Sequence, residues 1–97
     1  MQEISIVKSI LKYLNSQPDC KAIKTHGGIY GAGQADITGC YKGRRIEIEV
    51  KRPGYEPTRL QAAILEQWRA AGALCGCAHS LDEAKEILKG WNDFGTR

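Results

Sequence analysis

Apolar residues Val7, Ile10, Leu11 and Leu14 recur at intervals of three and four, so the spacing predicts an amphipathic helix over residues 2–16 that ends before Pro18. Glu3 falls on the same stripe; a first-turn acid suits the helix dipole, and an acid on an apolar stripe is also a candidate for chemistry. Residues 21–25 read as a short strand. Two more strands, 35–41 and 44–51, flank Lys42-Gly43, where glycine supplies the positive φ of a two-residue hairpin turn. Ile46, Ile48 and Val50 alternate with Glu47, Glu49 and Lys51, which predicts one face packed on a core and the other presenting charge. After the Arg52-Pro53-Gly54-Tyr55 break, Pro57-Thr58 opens a second helix with Leu60, Ile64 and Trp68 inward and Gly72 as its stop. Thr58 and Gln61 form a capping box, as do Ser80 and Glu83 ahead of a third helix through Leu81, Ala84 and Leu88. Residues 74–78 read as the fourth strand. The order αβββαβα predicts an α/β fold in which a right-handed crossover lays the last strand parallel to the third, in a mixed sheet flanked by helices.

The hairpin carries the candidate chemistry. A turn at Lys42-Gly43 pairs Tyr41 with Arg44, and the same register carried outward sets Asp36 opposite Glu49, their Cβ atoms about 5 Å apart. Lys51 follows on that face. A solvated polar face accounts for most alternating charge in antiparallel sheets. Two opposed carboxylates with no base between them repel, however, and a hard divalent cation turns the same pair into ligands. Magnesium takes one or two carboxylates, keeps several waters and leaves positions for phosphate oxygens, which suits phosphodiester chemistry. Lys51 beside such a site can hold an attacking water in line, and a salt bridge to Glu49 accounts for the same spacing. Arg44, Arg45, Arg52 and Arg59 lie near the hairpin and the following helix as candidate phosphate contacts; singly, each also reads as a solvated surface charge.

Composition narrows the classes. Ninety-seven residues suit one domain, residues 1–97, and 42% hydrophobic with 26% charged residues is a folding composition. Fourteen Lys and Arg against eleven Asp and Glu give +3, a weak basic excess compatible with a polyanion. Apolar runs are too short to span a bilayer, and Met1-Gln2-Glu3 does not open a signal peptide, so no membrane partner and an intracellular, cytoplasmic location are expected. Cys20, Cys40, Cys75 and Cys77 lack C-x-x-C spacing and read as buried free thiols, with a zinc-stapled interaction domain as the alternative. The glycine-rich stretch 26–33 matches no phosphate-binding loop; His26 and Tyr30 make it a candidate wall for a nucleic-acid strand, a flexible loop being the default.

Asp36, then Glu49-Val50-Lys51 on the next strand, resembles the split acid and E-x-K signature of the PD-(D/E)XK nuclease superfamily. Gly33-Gln34-Ala35-Asp36-Ile37-Thr38-Gly39, the run from Gly43 to Gly54, Thr58 with Gln61, and Ala71-Gly72 leading to Ser80 are similar to the virus-type replication-repair nuclease (VRR-NUC) domain over most of residues 26–84. Ala35 stands where the superfamily's namesake pattern has proline. The resemblance implies a restriction-endonuclease-like core and a Mg2+- or Mn2+-dependent DNA endonuclease. Asp36, Glu49 and the Val50 carbonyl then hold the metal and Lys51 attends the attacking water. It further implies that Glu3 is a first-helix glutamate reaching the site, and that Gln61 is the glutamine following the E-x-K strand. Small stand-alone members of this family are associated with branched DNA and act as homodimers, so the implied partners are DNA such as four-way (Holliday) junctions and a second copy of the chain. A phage-encoded member acts in the host cell. A non-catalytic nucleic-acid-binding module, and a nuclease acting on flaps or other DNA structures, are the competing readings.

Overall fold

The computed structural model describes residues 2–25 and 33–91. Its elements follow as α1 (Glu3–Ser16), β1 (Cys20–Lys24), β2 (Ile37–Tyr41), β3 (Arg44–Val50), α2 (Arg59–Ala70), β4 (Leu74–Ala78) and α3 (Leu81–Lys89). The order is the predicted one, with β2 starting at Ile37 because Asp36 lies in a bend. The strands form one sheet in the order β1-β2-β3-β4, antiparallel across the first three and parallel between β3 and β4. The chain is α/β, with a mixed four-stranded sheet flanked by helices.

Lys42 and Gly43 both have positive φ, +49° and +83°, the geometry whose twist matches a two-residue hairpin. That turn pairs Tyr41 with Arg44 and sets the register out to Ile37 opposite Ile48. Ile6, Val7, Ile10 and Leu14 of α1, with Ala84 and Leu88 of α3, bury against Ile37, Ile46, Ile48, Val50, Leu74 and Ala78. Alternation turns Arg45, Glu47 and Glu49 to the other face, where α2 lies: Cys75 Sγ donates to the Leu65 carbonyl, and the Arg45 guanidinium stacks on Trp68.

The charged face is therefore not solvated. Glu47 and Glu49 are 0% and 2% exposed, because the helix joining parallel strands has to cross one face of the sheet while α1 and α3 occupy the other. Within α2 the fully buried residue is Leu65, whereas Leu60, expected to point inward, is 54% exposed. Leu60 and Ile64 lie against Gly33, whose φ is +79°; a Cβ there would fall 2.5 Å from Ile64 Cδ1. The Thr58–Gln61 capping box makes both of its bonds. Ser80 caps α3 through the Glu83 N–H, but the Glu83 carboxylate accepts from His79 N instead of completing the box. The four cysteines are free, and none is fully buried: Cys40 is exposed and the other three are half-buried. Among the described residues, no helix is long and apolar enough to cross a membrane.

Candidate functional site

Asp36 is placed by backbone bonds before its side chain acts. Thr25 N donates to the Asp36 carbonyl at 2.8 Å and Thr25 Oγ1 to the Ala35 carbonyl at 2.6 Å, tying the bend ahead of β2 to the end of β1. From that bend Asp36 Oδ2 accepts from Val50 N at 2.8 Å, so the carboxylate reaches across to the C-terminal end of β3. It meets Glu49 there. Burial first, then hydrogen bonding and repulsion from Asp36, push the Glu49 carboxyl up to about 8, with Lys51 pulling the other way. Lys51 Nζ lies 3.7 Å from Glu49 Oε2, while Glu49 Oε1 is buried without a hydrogen-bond partner. The Lys51 side chain is 18% exposed.

This arrangement presents two hard oxygen donors held at close range and one orphaned buried oxygen. A buried acceptor without a donor costs about 1–3 kcal/mol, a penalty that a cation or a proton removes. Among the described residues no group of three or more His, Cys, Asp and Glu side chains is arranged to hold a metal ion. Two carboxylates fit an ion that keeps several of its waters better than one fully caged by protein. Glu47, two residues earlier on the same face, accepts from Thr38 Oγ1 and from Arg45 Nε, the latter at 2.8 Å, both at its Oε2, and its Oε1, like that of Glu49, is buried without a hydrogen-bond partner.

The remaining candidates scatter. Arg44 donates from Nε to the Gly72 carbonyl at 2.7 Å and from Nη1 to those of Gly90 and Trp91 at 2.8 and 3.0 Å. It ties down the ends of α2 and α3, and it lies five residues before Glu49, about 17 Å along the strand. These bonds give Arg44 a structural role, whatever it contacts besides. Arg45 is drawn to Glu47 and Trp68, Arg52 stacks on Tyr55, and Arg59 is exposed at the first turn of α2. Gln61 Oε1 accepts from Thr58 N, so its amide oxygen serves the cap. Glu3 is exposed instead of sharing the buried stripe, and among the described residues no hydrogen bond or ion pair joins it to Asp36, Glu49 or Lys51. His26 and Tyr30 lie outside the described residues.

Sequence reasoning passed over His79. Parallel pairing brings the ends of β3 and β4 together, with Lys51 N donating to the Ala78 carbonyl at 3.1 Å, so His79 emerges next to the lysine. The available signal was its place directly after a strand parallel to the E-x-K strand, at the end of the sheet where open α/β folds place their sites. Compared with models of known protein families and with curated proteins, the chain matches none.

Proposed function

We propose that this chain is a divalent-metal-dependent DNA endonuclease of the PD-(D/E)XK type, similar to the VRR-NUC domain. The mixed sheet and the αβββαβα order are compatible with the restriction-endonuclease-like core. The observation that carries the reading is the buried carboxyl pair at the end of β3, with an unpartnered oxygen on Glu49 and the Lys51 ammonium 3.7 Å away. Asp36 and Glu49, with the Val50 carbonyl implied by the resemblance, would hold Mg2+ or Mn2+. Bound there, the ion supplies positive charge against the phosphate oxygens and acidifies water.

The chain's own groups do the positioning. The Val50 N–H fixes one Asp36 oxygen. Lys51 orients the attacking water through its N–H donors and stabilises charge on the phosphate. Arg52 and Arg59 follow in the chain as phosphate contacts. Branched DNA such as a four-way junction is the proposed substrate, cut by a homodimer whose twofold axis presents two identical sites.

The test is incubation of the purified chain with single-stranded, duplex, flap and four-way junction DNA, in magnesium or in chelator. Cleavage in magnesium alone, strongest on the junction and lost in Lys51→Ala, is the expected result. Tight binding without cleavage of any substrate would replace the nuclease with a binding module. Strongest cleavage of flaps would move the substrate and keep the chemistry.

A further inference from the structure

His79 sits where β4 gives way to α3, and its ring faces oxygen atoms from two other segments. Nδ1 is 2.8 Å from Glu83 Oε1 in the first turn of α3. Nε2 is 2.8 Å from the Tyr55 carbonyl and 2.8 Å from Glu56 Oε2, both in the segment between β3 and α2. A neutral imidazole carries one N–H donor and one lone pair. Ringed by carboxylates and a carbonyl, it would aim that lone pair at an oxygen, whereas an imidazolium donates from both nitrogens.

The charges agree with that geometry. The hydrogen bond to Glu83, followed by that to the Tyr55 carbonyl, holds His79 above its ordinary value, and His79 in turn holds Glu83 below the usual carboxylate range. From β4 the ring meets Cys77 Sγ at 4.0 Å, a thiol that burial pushes up to about 11 and keeps neutral. Glu56, Glu49, Glu83 and Lys51 are the charges felt at that thiol.

The fastened segment follows Lys51 directly. Tyr55 N donates to the Arg52 carbonyl at 3.1 Å, Arg52 Nη2 donates to the Tyr55 hydroxyl at 2.9 Å, and the guanidinium lies 4.3 Å over the ring. Arg52 and Tyr55 are both exposed. Pinning the Tyr55 carbonyl therefore fixes where this arginine is presented.

We propose that His79 is a positioning residue operated by a proton: as an imidazolium it fastens the Tyr55-Glu56 turn to α3, and so holds the Arg52 guanidinium ready for a substrate phosphate. The phosphate in that statement rests on the nuclease reading; the fastening itself does not.

The fastening is tested on the full chain without DNA or metal. An NMR titration of the imidazole from about pH 5.5 to about pH 9 should give a midpoint above 6.5, lowered by Glu83→Gln and by Glu56→Gln. Hydrogen exchange at the Tyr55 amide, corrected for its intrinsic pH dependence, should rise about threefold to fivefold across that midpoint and stay level in His79→Gln. A midpoint at or below 6.5, or exchange indifferent to it, overturns the fastening whatever the protein does to DNA. With junction DNA and saturating magnesium, the KM of the wild type should rise across the same midpoint and that of His79→Gln should not, while the kcat profiles of the two proteins, which share Glu49, coincide. A fastening that titrates as expected in a chain that cleaves nothing would count against the nuclease reading alone.

Discussion

Replacing Glu49 by glutamine should remove a large electrostatic cost from the metal-free fold and expose its size. Glu49 titrates near 4.5 in an unfolded chain and at about 8 in the folded protein, chiefly through burial and then through Asp36. Between those values the folded state keeps a proton that the unfolded chain has released, so the contribution of Glu49 to stability is greatest below about 4.5 and falls as the pH climbs toward 8. It is level beyond that. Unrelaxed, the difference corresponds to about 4–5 kcal/mol. Water drawn to the unpartnered Glu49 Oε1 reduces it, and about 2 kcal/mol is the expected measurable loss.

Urea unfolding in chelator at about pH 5 and about pH 8.5 reads this directly. With a slope of about 1 kcal/mol per molar urea for a chain this small, the wild-type midpoint should drop by about 2 M. Glu49→Gln is neutral at both values and should lose much less. His79, whose value is raised, adds a loss of the same sign as the pH rises through it, but it is present in both proteins and cancels in the comparison. Magnesium added at the higher pH should raise the wild-type midpoint and leave the variant unmoved. An equal pH-dependent fall in the two proteins would refute the argument.

Lys51→Ala should lower single-turnover cleavage by at least about a hundredfold while DNA affinity, measured by anisotropy in calcium, changes little. Arg44→Ala strips donors from the Gly72, Gly90 and Trp91 carbonyls and should cost about 2–3 kcal/mol, seen as a Tm lower by about 10 °C. DNA affinity lost at an unchanged Tm would instead make Arg44 a DNA contact. Gly39→Ala places a Cβ 2.2 Å from the Lys21 carbonyl oxygen, so β1 must withdraw from β2. That change should cost about 1–3 kcal/mol and accelerate amide exchange in β1 ahead of β3.

The hairpin was legible because two constraints coincide in it. A two-residue turn at Lys42-Gly43 permits one register, and a period of two then assigns every side chain to a face, which placed Asp36 near Glu49 before any coordinates. The helices were legible from apolar spacing and capping residues, down to the Thr58–Gln61 box. The structural bonds of Arg44 were not legible, because the carbonyls it satisfies lie 28, 46 and 47 residues away. Glu83 misled because its nearest backbone donor by pattern, Ser80, lost to the His79 N–H.

Local rules, acting over a few residues, determined the element order and the register out to Ile37 opposite Ile48; Asp36 lies beyond that ladder, in a bend, and meets Glu49 without pairing with it as a strand residue. Only the tertiary structure decided that α2 would close over the second face of β3, making Glu47 and Glu49 buried rather than solvated. It alone also brought His79 against Tyr55, Glu56 and Glu83. Burial and long-range contact depend on where distant segments cross, and a one-dimensional pattern of apolar and polar residues carries no term for that.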